Sequence, residues 1–151
     1  MRIVGIDPGV TGGIALLSDA GALRFTVSMP VADSRVIGLD VASILKNASP
    51  HIVVIEDTQP MPKNGSISSF KLGLNTGIVI GVVQTMHLPM IRLRPADWKK
   101  TMHLTGKDKD ASRGLATELW PSMADNWKLK KHDGLAEAAL IAEAHRRNEN
   151  R

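Results

Sequence analysis

The segment MRIVGIDPGVTGGIALLS, residues 1–18, decides the fold of this chain. Its first part, 1–7, is an apolar run that predicts a buried strand and ends in a carboxylate, Asp7. The following PGVTGG, 8–13, predicts a turn that needs the conformational freedom of glycine, and GIALLS, 13–18, predicts a second strand. Because the turn between them is so short, we expect the two strands to be antiparallel neighbours.

Further strands extend this hairpin into a sheet. A third strand is predicted at 22–28, after a hairpin connection at 19–21. The segment HIVVIE, 51–56, has almost no polar interior and predicts a central strand covered on both faces. With a fifth short strand at 90–93, the pattern predicts a single domain, 1–151, of the α/β class, with a mixed sheet and helices on both faces.

The predicted helices separate and cover these strands. They lie around 36–45, at 67–86, from Pro95 onward, at 108–120 and at 133–147, with loops at 30–34 and 57–66. The helix at 67–86 is expected to be mostly buried, and its Gly73, Gly77 and Gly81 form a smooth stripe on one face. Close packing on the sheet and a helix–helix dimer contact explain this stripe equally well.

The composition excludes several classes of protein. The 151 residues include 43% hydrophobic residues, enough for a globular core, and no cysteine, which excludes disulfides and thiolate metal sites. Asp7 interrupts the first apolar run, so no signal peptide is expected, and the apolar stretch 78–83 is too short to span a bilayer. We therefore expect a soluble, cytoplasmic protein that binds no membrane.

The charge distribution favours a nucleic-acid partner. The net charge is +4, and basic residues are concentrated between Arg92 and Lys131, with a second group at the C-terminus. A basic surface of this kind is consistent with binding to phosphate backbones.

Two acidic residues end predicted strands. Asp7 and Glu56 each follow an apolar run, so both carboxylates are expected at one edge of the sheet. For Asp7 alone, the simpler interpretation is a carboxylate that accepts N–H groups of its turn. If the two carboxylates meet, a divalent cation would relieve their repulsion.

A second acidic pair lies in KKHDGLAEAALIAEAH, 130–145. Asp133 and Glu137 are four residues apart and share a helix face. Asp133 could instead be an N-cap, and Glu137 could be solvent-exposed. The small apolar neighbours of Glu137, however, indicate a helix lying flat on the sheet. Together, the four carboxylates suit a phosphodiesterase that uses two Mg²⁺ ions, roughly 3.5–4 Å apart.

Four segments in this order resemble one family, the RuvC Holliday-junction resolvases. They are MRIVGIDPGVTGGIALL, IVVIEDTQPMPKNGSISSFKLGLNTGIVIGVV, WKKTMHLTGKDKDASRGLA and HDGLAEAALIA. The resemblance covers nearly the whole chain and implies an RNase H-like fold: a mixed five-stranded sheet of three antiparallel and then parallel strands. It also implies a crossover junction endodeoxyribonuclease that acts as a homodimer on four-way or otherwise branched DNA, in a bacterial or phage-infected cell. Such an enzyme cuts two opposite strands of the junction by metal-dependent hydrolysis, leaving 5′-phosphates, with Mg²⁺ or Mn²⁺ as cofactor.

The resemblance also assigns the site residues. Asp7 and Glu56 match the first two metal-binding acids and Glu137 the last, while the usual position of the third is Gly134 here. Asp133 is our preferred third ligand and His132 the alternative. The predicted catalytic set is therefore Asp7, Glu56, Asp133, Glu137 and Lys109, and the predicted DNA-binding set is Lys63, Lys71, Lys99, Lys100, Lys107, Lys109 and Arg113. For the lysines, solvated helix charge is the competing interpretation.

One departure from the family leaves the substrate open. The family commonly has an aromatic wedge just after the second acidic strand, where this chain has Gln59, Pro60 and Met61, with no aromatic residue before Phe70. Met61 is a hypothetical apolar wedge. The missing aromatic favours one alternative, a less selective nuclease for flaps and branched DNA. A non-catalytic DNA-binding module is a second alternative. A third is an actin-like nucleotide-binding module, because DPGVTG, 7–12, also resembles the phosphate loop of actin-like ATPases and sugar kinases. The last would need a second domain for which this chain is too short.

Overall fold

A five-stranded mixed sheet forms the centre of the computed structural model, which describes residues 1–150. Its strands are β1 (Arg2–Asp7), β2 (Gly13–Ser18), β3 (Leu23–Ser28), β6 (Ile52–Glu56) and β7 (Met90–Leu93). The spatial order is β3-β2-β1-β6-β7. The first three pair antiparallel, whereas β6 joins β1 in parallel and β7 joins β6 in parallel. This arrangement confirms the predicted fold class.

Helices cover both faces of this sheet. They are α1 (Gly38–Ala48), α2 (Ser66–Thr85), α3 (Pro95–Thr101), α4 (Lys109–Leu119) and α5 (Asp133–Glu149), with 3-10 segments at Pro121–Trp127 and Lys130–His132. Helices α3, α4 and α5 share one hydrophobic core with one face of the sheet, and α1 and α2 share a second core with the opposite face. Alternating residues of each strand therefore enter different cores, as the pleat requires.

The contact between α5 and β1 is unusually close. A Cβ atom at Gly5 would lie 2.1 Å from the carbonyl oxygen of Ala138, so only glycine fits at this position of β1. Ile3 belongs to the core under α5, and Gly5 and Asp7 follow it at the spacing of two residues that keeps side chains on one face. The sequence of β1 therefore directs Asp7 toward α5.

The loop predicted at 30–34, on the sheet face that α1 and α2 cover, is wrong. The segment 30–34 is not a simple loop: β4 (Val31–Ala32) and β5 (Arg35–Val36) form a small hairpin. Its turn residues Asp33 and Ser34 both have positive φ, as a two-residue hairpin turn requires. Asn75 of α2 holds this hairpin, because its side chain accepts the Val36 N–H and donates to the Ser34 carbonyl.

Helix α2 is not mostly buried, contrary to the prediction. It buries one narrow side and leaves Ile67 72% and Phe70 70% exposed. The three glycines lie on an open side, since a Cβ atom at Gly73, Gly77 or Gly81 would meet nothing within 4 Å. Packing on the sheet therefore does not explain the stripe, and the dimer interpretation stays a prediction.

The 20 residues of α2 are also long and apolar enough to cross a membrane, a criterion that core helices of soluble proteins meet as well. The apolar stretch 78–83, which is too short to span a bilayer, is only one part of this helix. Val79 and Val83 of α2 are buried in the core of the α1–α2 face.

Candidate active site

The carboxyl ends of β1 and β6 bring two of the predicted acids together. The parallel register pairs Ile6 with Ile55, so Asp7 and Glu56 are the next residues along two neighbouring strands. Both carboxylates belong to the sheet face that α5 covers, because Gly5 contacts α5 and Val54 lies in the same core. The tertiary structure thus forms the expected acidic edge from residues 49 positions apart in the sequence.

Asp7 is the most strongly perturbed of these acids. The pKa of its carboxyl is raised to about 7, chiefly by burial and also by the negative charges of Glu56 and Glu137, while the Gly9 N–H and Lys109 oppose the shift. Gly9 donates its N–H to Asp7 Oδ1 at 3.1 Å. Asp7 therefore does accept an N–H group of its turn, as the simpler interpretation predicts. One donor does not, however, compensate a buried charge beside two other acids.

Both oxygens of Glu56 accept a hydrogen bond. The indole N–H of Trp98, in α3, donates to Oε1 at 2.8 Å, and the hydroxyl of Thr58 donates to Oε2 at 2.6 Å. The neighbouring Asp57 instead forms an ion pair with Arg92 of β7. Of two consecutive acids, one is therefore directed into the site and the other is neutralised at the sheet edge.

Glu137 completes the cluster from above. It is only 6% exposed, which excludes the solvent-exposed alternative. Burial raises the pKa of the Glu137 carboxyl, with Glu56 and Asp133 acting in the same direction, whereas Lys109 and Lys99 lower it. These mutual effects show that Glu137 lies within electrostatic range of both strand-end regions and of two lysines.

Asp133, our preferred third ligand, is occupied by a cation of the protein itself. Its Oδ1 lies 2.9 Å from Nε of Arg113, with both side chains 16% exposed. The contact is a close ion pair without hydrogen-bond alignment. Asp133 is also not an N-cap, since it is the first residue of α5 and His132 precedes it without a capping bond. The N-cap alternative is therefore wrong.

Gly134, the position that matches the family's usual third acid, has no room for a side chain in this structure. A Cβ atom at Gly134 would lie 2.3 Å from the carbonyl oxygen of Thr11 and 2.5 Å from Gly12 Cα. The start of α5 thus abuts the β1–β2 turn directly. His132, the alternative ligand, has a buried Nδ1 without a hydrogen-bond partner among residues 1–150.

The predicted basic residues divide into three groups. Lys99 and Lys109 lie close enough to the acids to affect their pKa values. Four others are exposed on the surface: Lys63, Lys71, Lys100 and Lys107. Arg113 is different, because its guanidinium is held by Asp110, Asp133 and the Lys128 carbonyl. Its geometry therefore favours a structural ion pair over the predicted contact with DNA.

The donor set suits a hard divalent cation. Asp7, Glu56 and Glu137 supply only oxygen ligands, the kind Mg²⁺ and Mn²⁺ prefer. The raised pKa of Asp7 shows that this buried negative charge lacks compensation. Within residues 1–150, no three such side chains are already close enough to hold one metal ion together, so the carboxylates would have to move toward a bound cation.

Sequence reasoning missed the residues that contact Glu56. Trp98 is 42 positions away and Thr58 lies in the loop after β6, so no spacing rule connects either residue with the acid. The partner of Asp133 was missed for the same reason, since Arg113 was assigned from its position in a basic segment.

Comparisons with known proteins agree with this architecture. No protein-family model matches the chain. The crossover junction endodeoxyribonuclease RuvC of Nitratidesulfovibrio vulgaris (strain Hildenborough) is 27% identical over 148 residues, which cover 91% of this chain and 88% of the relative. The chloroplastic Holliday junction resolvase MOC1 of Chlamydomonas reinhardtii is 34% identical over 83 residues, which cover 54% of this chain and 9% of MOC1.

Solved structures share the fold. T. thermophilus RuvC in complex with Holliday junction substrate superposes with a TM-score of 0.70 at 18% identity, covering 96% of this chain and 92% of that one. The fowlpox virus Holliday junction resolvase superposes with a TM-score of 0.60 at 13% identity, covering 98% and 99%.

The mixed sheet, with an acidic helix over its strand-end carboxylates, has the RNase H-like fold. The similarity along nearly the full length is more specific. It relates the chain to RuvC crossover junction endodeoxyribonucleases at 26–27% identity, which supports the resemblance found in the sequence.

Proposed function

We propose that this protein resolves four-way DNA junctions by hydrolysing one phosphodiester bond on each of two opposing strands, leaving 5′-phosphates. Full-length similarity to crossover junction endodeoxyribonucleases supports the junction-resolving endonuclease activity. The observation that carries the chemistry is the cluster of Asp7, Glu56 and Glu137, in which burial and then the neighbouring acids raise the pKa of Asp7 to about 7.

The carboxylates are the proposed metal ligands. RuvC-type nucleases are metal-dependent in general, and we assign Mg²⁺, with Mn²⁺ as a substitute, to Asp7, Glu56 and Glu137. Such ions, when bound, lower the pKa of water and stabilise charge on the leaving oxygen. The protein's own contribution is to hold three oxygen ligands on two strand ends and one helix.

Asp133 and His132 are the two candidates for a fourth metal ligand. Asp133 becomes a ligand only after it leaves Arg113, whereas His132 has a free buried nitrogen beside it. Asp133 therefore serves as a ligand only at an added cost, His132 offers an unpaired nitrogen, and the site proper consists of the three other acids.

The lysines have separate proposed roles. Lys109 and Lys99 already act on the acids, so they are assigned to the scissile phosphate, where a positive charge stabilises the transition state. The exposed lysines, Lys63, Lys71, Lys100 and Lys107, are assigned to phosphates farther along the arms of the junction, which position DNA without reading its sequence.

A homodimer is the proposed assembly. Two nicks on opposing strands need two sites, and a two-fold dimer matches the symmetry of a junction. The open glycine side of α2, with exposed Ile67 and Phe70 on the same helix, is the candidate interface. A cytoplasmic location remains a prediction.

Cleavage of labelled DNA tests the proposal. A mobile four-way junction, a flap and a linear duplex of matched sequence are incubated with the protein and Mg²⁺, and again with EDTA. Symmetric, metal-dependent nicks in the junction alone are expected. Tight junction binding with no cleavage would indicate a binding module instead, and ATP binding would revive the actin-like alternative.

A second candidate, a less selective nuclease for branched DNA, is favoured by one observation. The segment after Glu56 presents an exposed methionine, Met61, rather than an aromatic ring. In the same assay, equal cleavage of flap and junction would support this candidate. A Met61→Ala variant that loses junction cleavage but keeps flap cleavage would support a wedge role for Met61.

A further inference from the structure

The three tryptophans of the chain use their indole N–H groups in different ways. Trp120 donates to the Gly21 carbonyl at 2.8 Å, and Trp127 donates to the Thr117 hydroxyl at 3.0 Å. Trp98 donates to Glu56 Oε1, also at 2.8 Å. Only this last acceptor is a carboxylate of the acidic cluster, so Trp98 has a contact that core packing does not require.

The position of Trp98 makes this N–H group rigid. Its side chain is 0% exposed and lies in the core formed with α5 and the sheet. A large ring enclosed on all sides cannot change rotamer without displacing its neighbours. The N–H therefore points at a fixed place, and its hydrogen bond holds Glu56 Oε1 there.

Thr58 holds the other oxygen of Glu56. Its hydroxyl donates to Oε2 at 2.6 Å from the loop that follows β6. Each carboxylate oxygen thus has one donor and keeps further lone pairs, since an ionised carboxylate has about four acceptor sites. Neither donor brings a positive charge, so the carboxylate is oriented without being neutralised. Asp133 differs in this respect, because its partner Arg113 is a cation.

The face of the same indole lies under a lysine of the site. The Lys99 ammonium is 5.4 Å from the centroid of the Trp98 ring, within the range of a cation–π contact. Lys99 also lowers the pKa of Glu137, so its charge reaches the acids. One buried ring therefore contacts both a carboxylate and a cation of the site.

We propose that Trp98, together with Thr58, is a positioning residue that fixes the Glu56 carboxylate for a divalent cation. Trp98 touches neither metal nor DNA and acts through Glu56, while its ring face limits where the Lys99 ammonium lies. The inference rests on the proposed function, because it takes Glu56 as a metal ligand.

The decisive experiment measures Mn²⁺ affinity by calorimetry on the full chain without DNA. Trp98→Phe keeps the ring and removes the N–H group, and Trp120→Phe removes an equally short indole bond far from the acids. Loss of a partner that orients a metal ligand typically weakens metal affinity by about 10–100-fold, so this loss is expected for Trp98→Phe. Trp120→Phe should bind Mn²⁺ as the unmodified protein does.

Cleavage kinetics provide a second readout. The metal concentration for half-maximal cleavage should rise in Trp98→Phe, while kcat at saturating metal should fall much less. A merely structural role would lower the active fraction and leave the half-maximal metal concentration unchanged, which would overturn the inference.

Two further variants cover the case in which Trp98→Phe does not fold. Thr58→Val removes the second donor at nearly constant volume, and Thr58→Ser restores a hydroxyl. Weaker Mn²⁺ binding in Thr58→Val that is recovered in Thr58→Ser supports the positioning of Glu56. Equal binding in both variants overturns it.

Glu56→Gln separates failure of this inference from failure of the proposed function. If Glu56→Gln still cleaves junctions with Mg²⁺, the acidic site itself is wrongly assigned. If Glu56→Gln is inactive and Trp98→Phe binds Mn²⁺ normally, the site stands and only the role of Trp98 is refuted.

Discussion

The two halves of the acidic cluster differ in how their charge is compensated. On the strand side, Asp7 and Glu56 accept hydrogen bonds from neutral donors only, and the pKa of Asp7 is raised to about 7 by burial and by its acidic neighbours. On the helix side, Asp133 is in contact with the Arg113 guanidinium. Charge without a counter-ion is available to a metal ion, whereas charge already paired inside the protein must first be released. The strand side is therefore the prepared half of the site.

The largest expected effect comes from removing a charge on the strand side. Asp7→Asn should lower junction cleavage by about 10³-fold or more, since a lost ligand forfeits several kcal/mol of metal-ion stabilisation. Junction binding should be nearly unchanged, because basic residues away from Asp7 contact the phosphates. Single-turnover cleavage and gel-shift titration measure the two quantities, and retained cleavage would refute the assignment.

The same substitution should stabilise the metal-free protein at alkaline pH. The folded-state pKa of Asp7 is about 7, above the ordinary value of 3.8, so ionisation of Asp7 opposes folding. The destabilisation of the folded state by Asp7 is absent below pH 4, grows between pH 4 and pH 7, and is complete above pH 7. At pH 8, Asp7→Asn should raise the unfolding free energy by up to about 4 kcal/mol.

Urea unfolding in EDTA, at pH 4 and at pH 8, measures this effect. No difference between the variant and the unmodified protein at pH 8 would mean that Asp7 is not an uncompensated buried charge. Added Mg²⁺ should stabilise the unmodified protein at pH 8 and have little effect on Asp7→Asn.

A smaller effect is expected on the helix side. Asp133→Asn should reduce cleavage by about 10–100-fold, the range for groups that support a metal ligand, because Asp133 is paired with Arg113. His132→Ala, measured beside it, distinguishes the two candidate ligands. A loss in Asp133→Asn as large as in Asp7→Asn would remove the difference between the two halves and make Asp133 a full ligand.

The smallest effect concerns the lysines that face the cluster. Lys109→Ala should lower cleavage by about tenfold or less and make cleavage less sensitive to salt, since one phosphate contact is lost. Lys46→Ala is the matched control, because Lys46 is an exposed lysine in the last turn of α1 and lies outside the predicted DNA-binding set. Rates from 50 to 200 mM NaCl test this, and identical slopes for Lys109→Ala and the unmodified protein would contradict it.

The strand pattern was predictable because its signals are local. Alternation, turns and apolar runs placed β1, β2, β3, β6 and β7 within about one residue of their observed ends, and the acids at the ends of β1 and β6 followed directly. The hairpin of β4 and β5 was missed because its strands have two residues each and depend on Asn75, 39 positions from Val36.

The burial of α2 was overestimated for a related reason. Its sequence is apolar all round, which favours a buried helix in a monomer. The structure buries one narrow side only, so composition alone gave the wrong environment for Ile67 and Phe70.

The sequence by itself determined the order of strands and helices, the charge class and the acids Asp7, Glu56 and Glu137, because periodicity and strand ends are properties of neighbouring residues. Only the tertiary structure decided which side chains compensate those acids. Glu56 meets Trp98 across 42 residues, Asp133 meets Arg113, and Gly134 is forced against Thr11. Such contacts depend on how α3, α4 and α5 dock on the sheet, and docking is set by the volume of the whole core rather than by any local spacing.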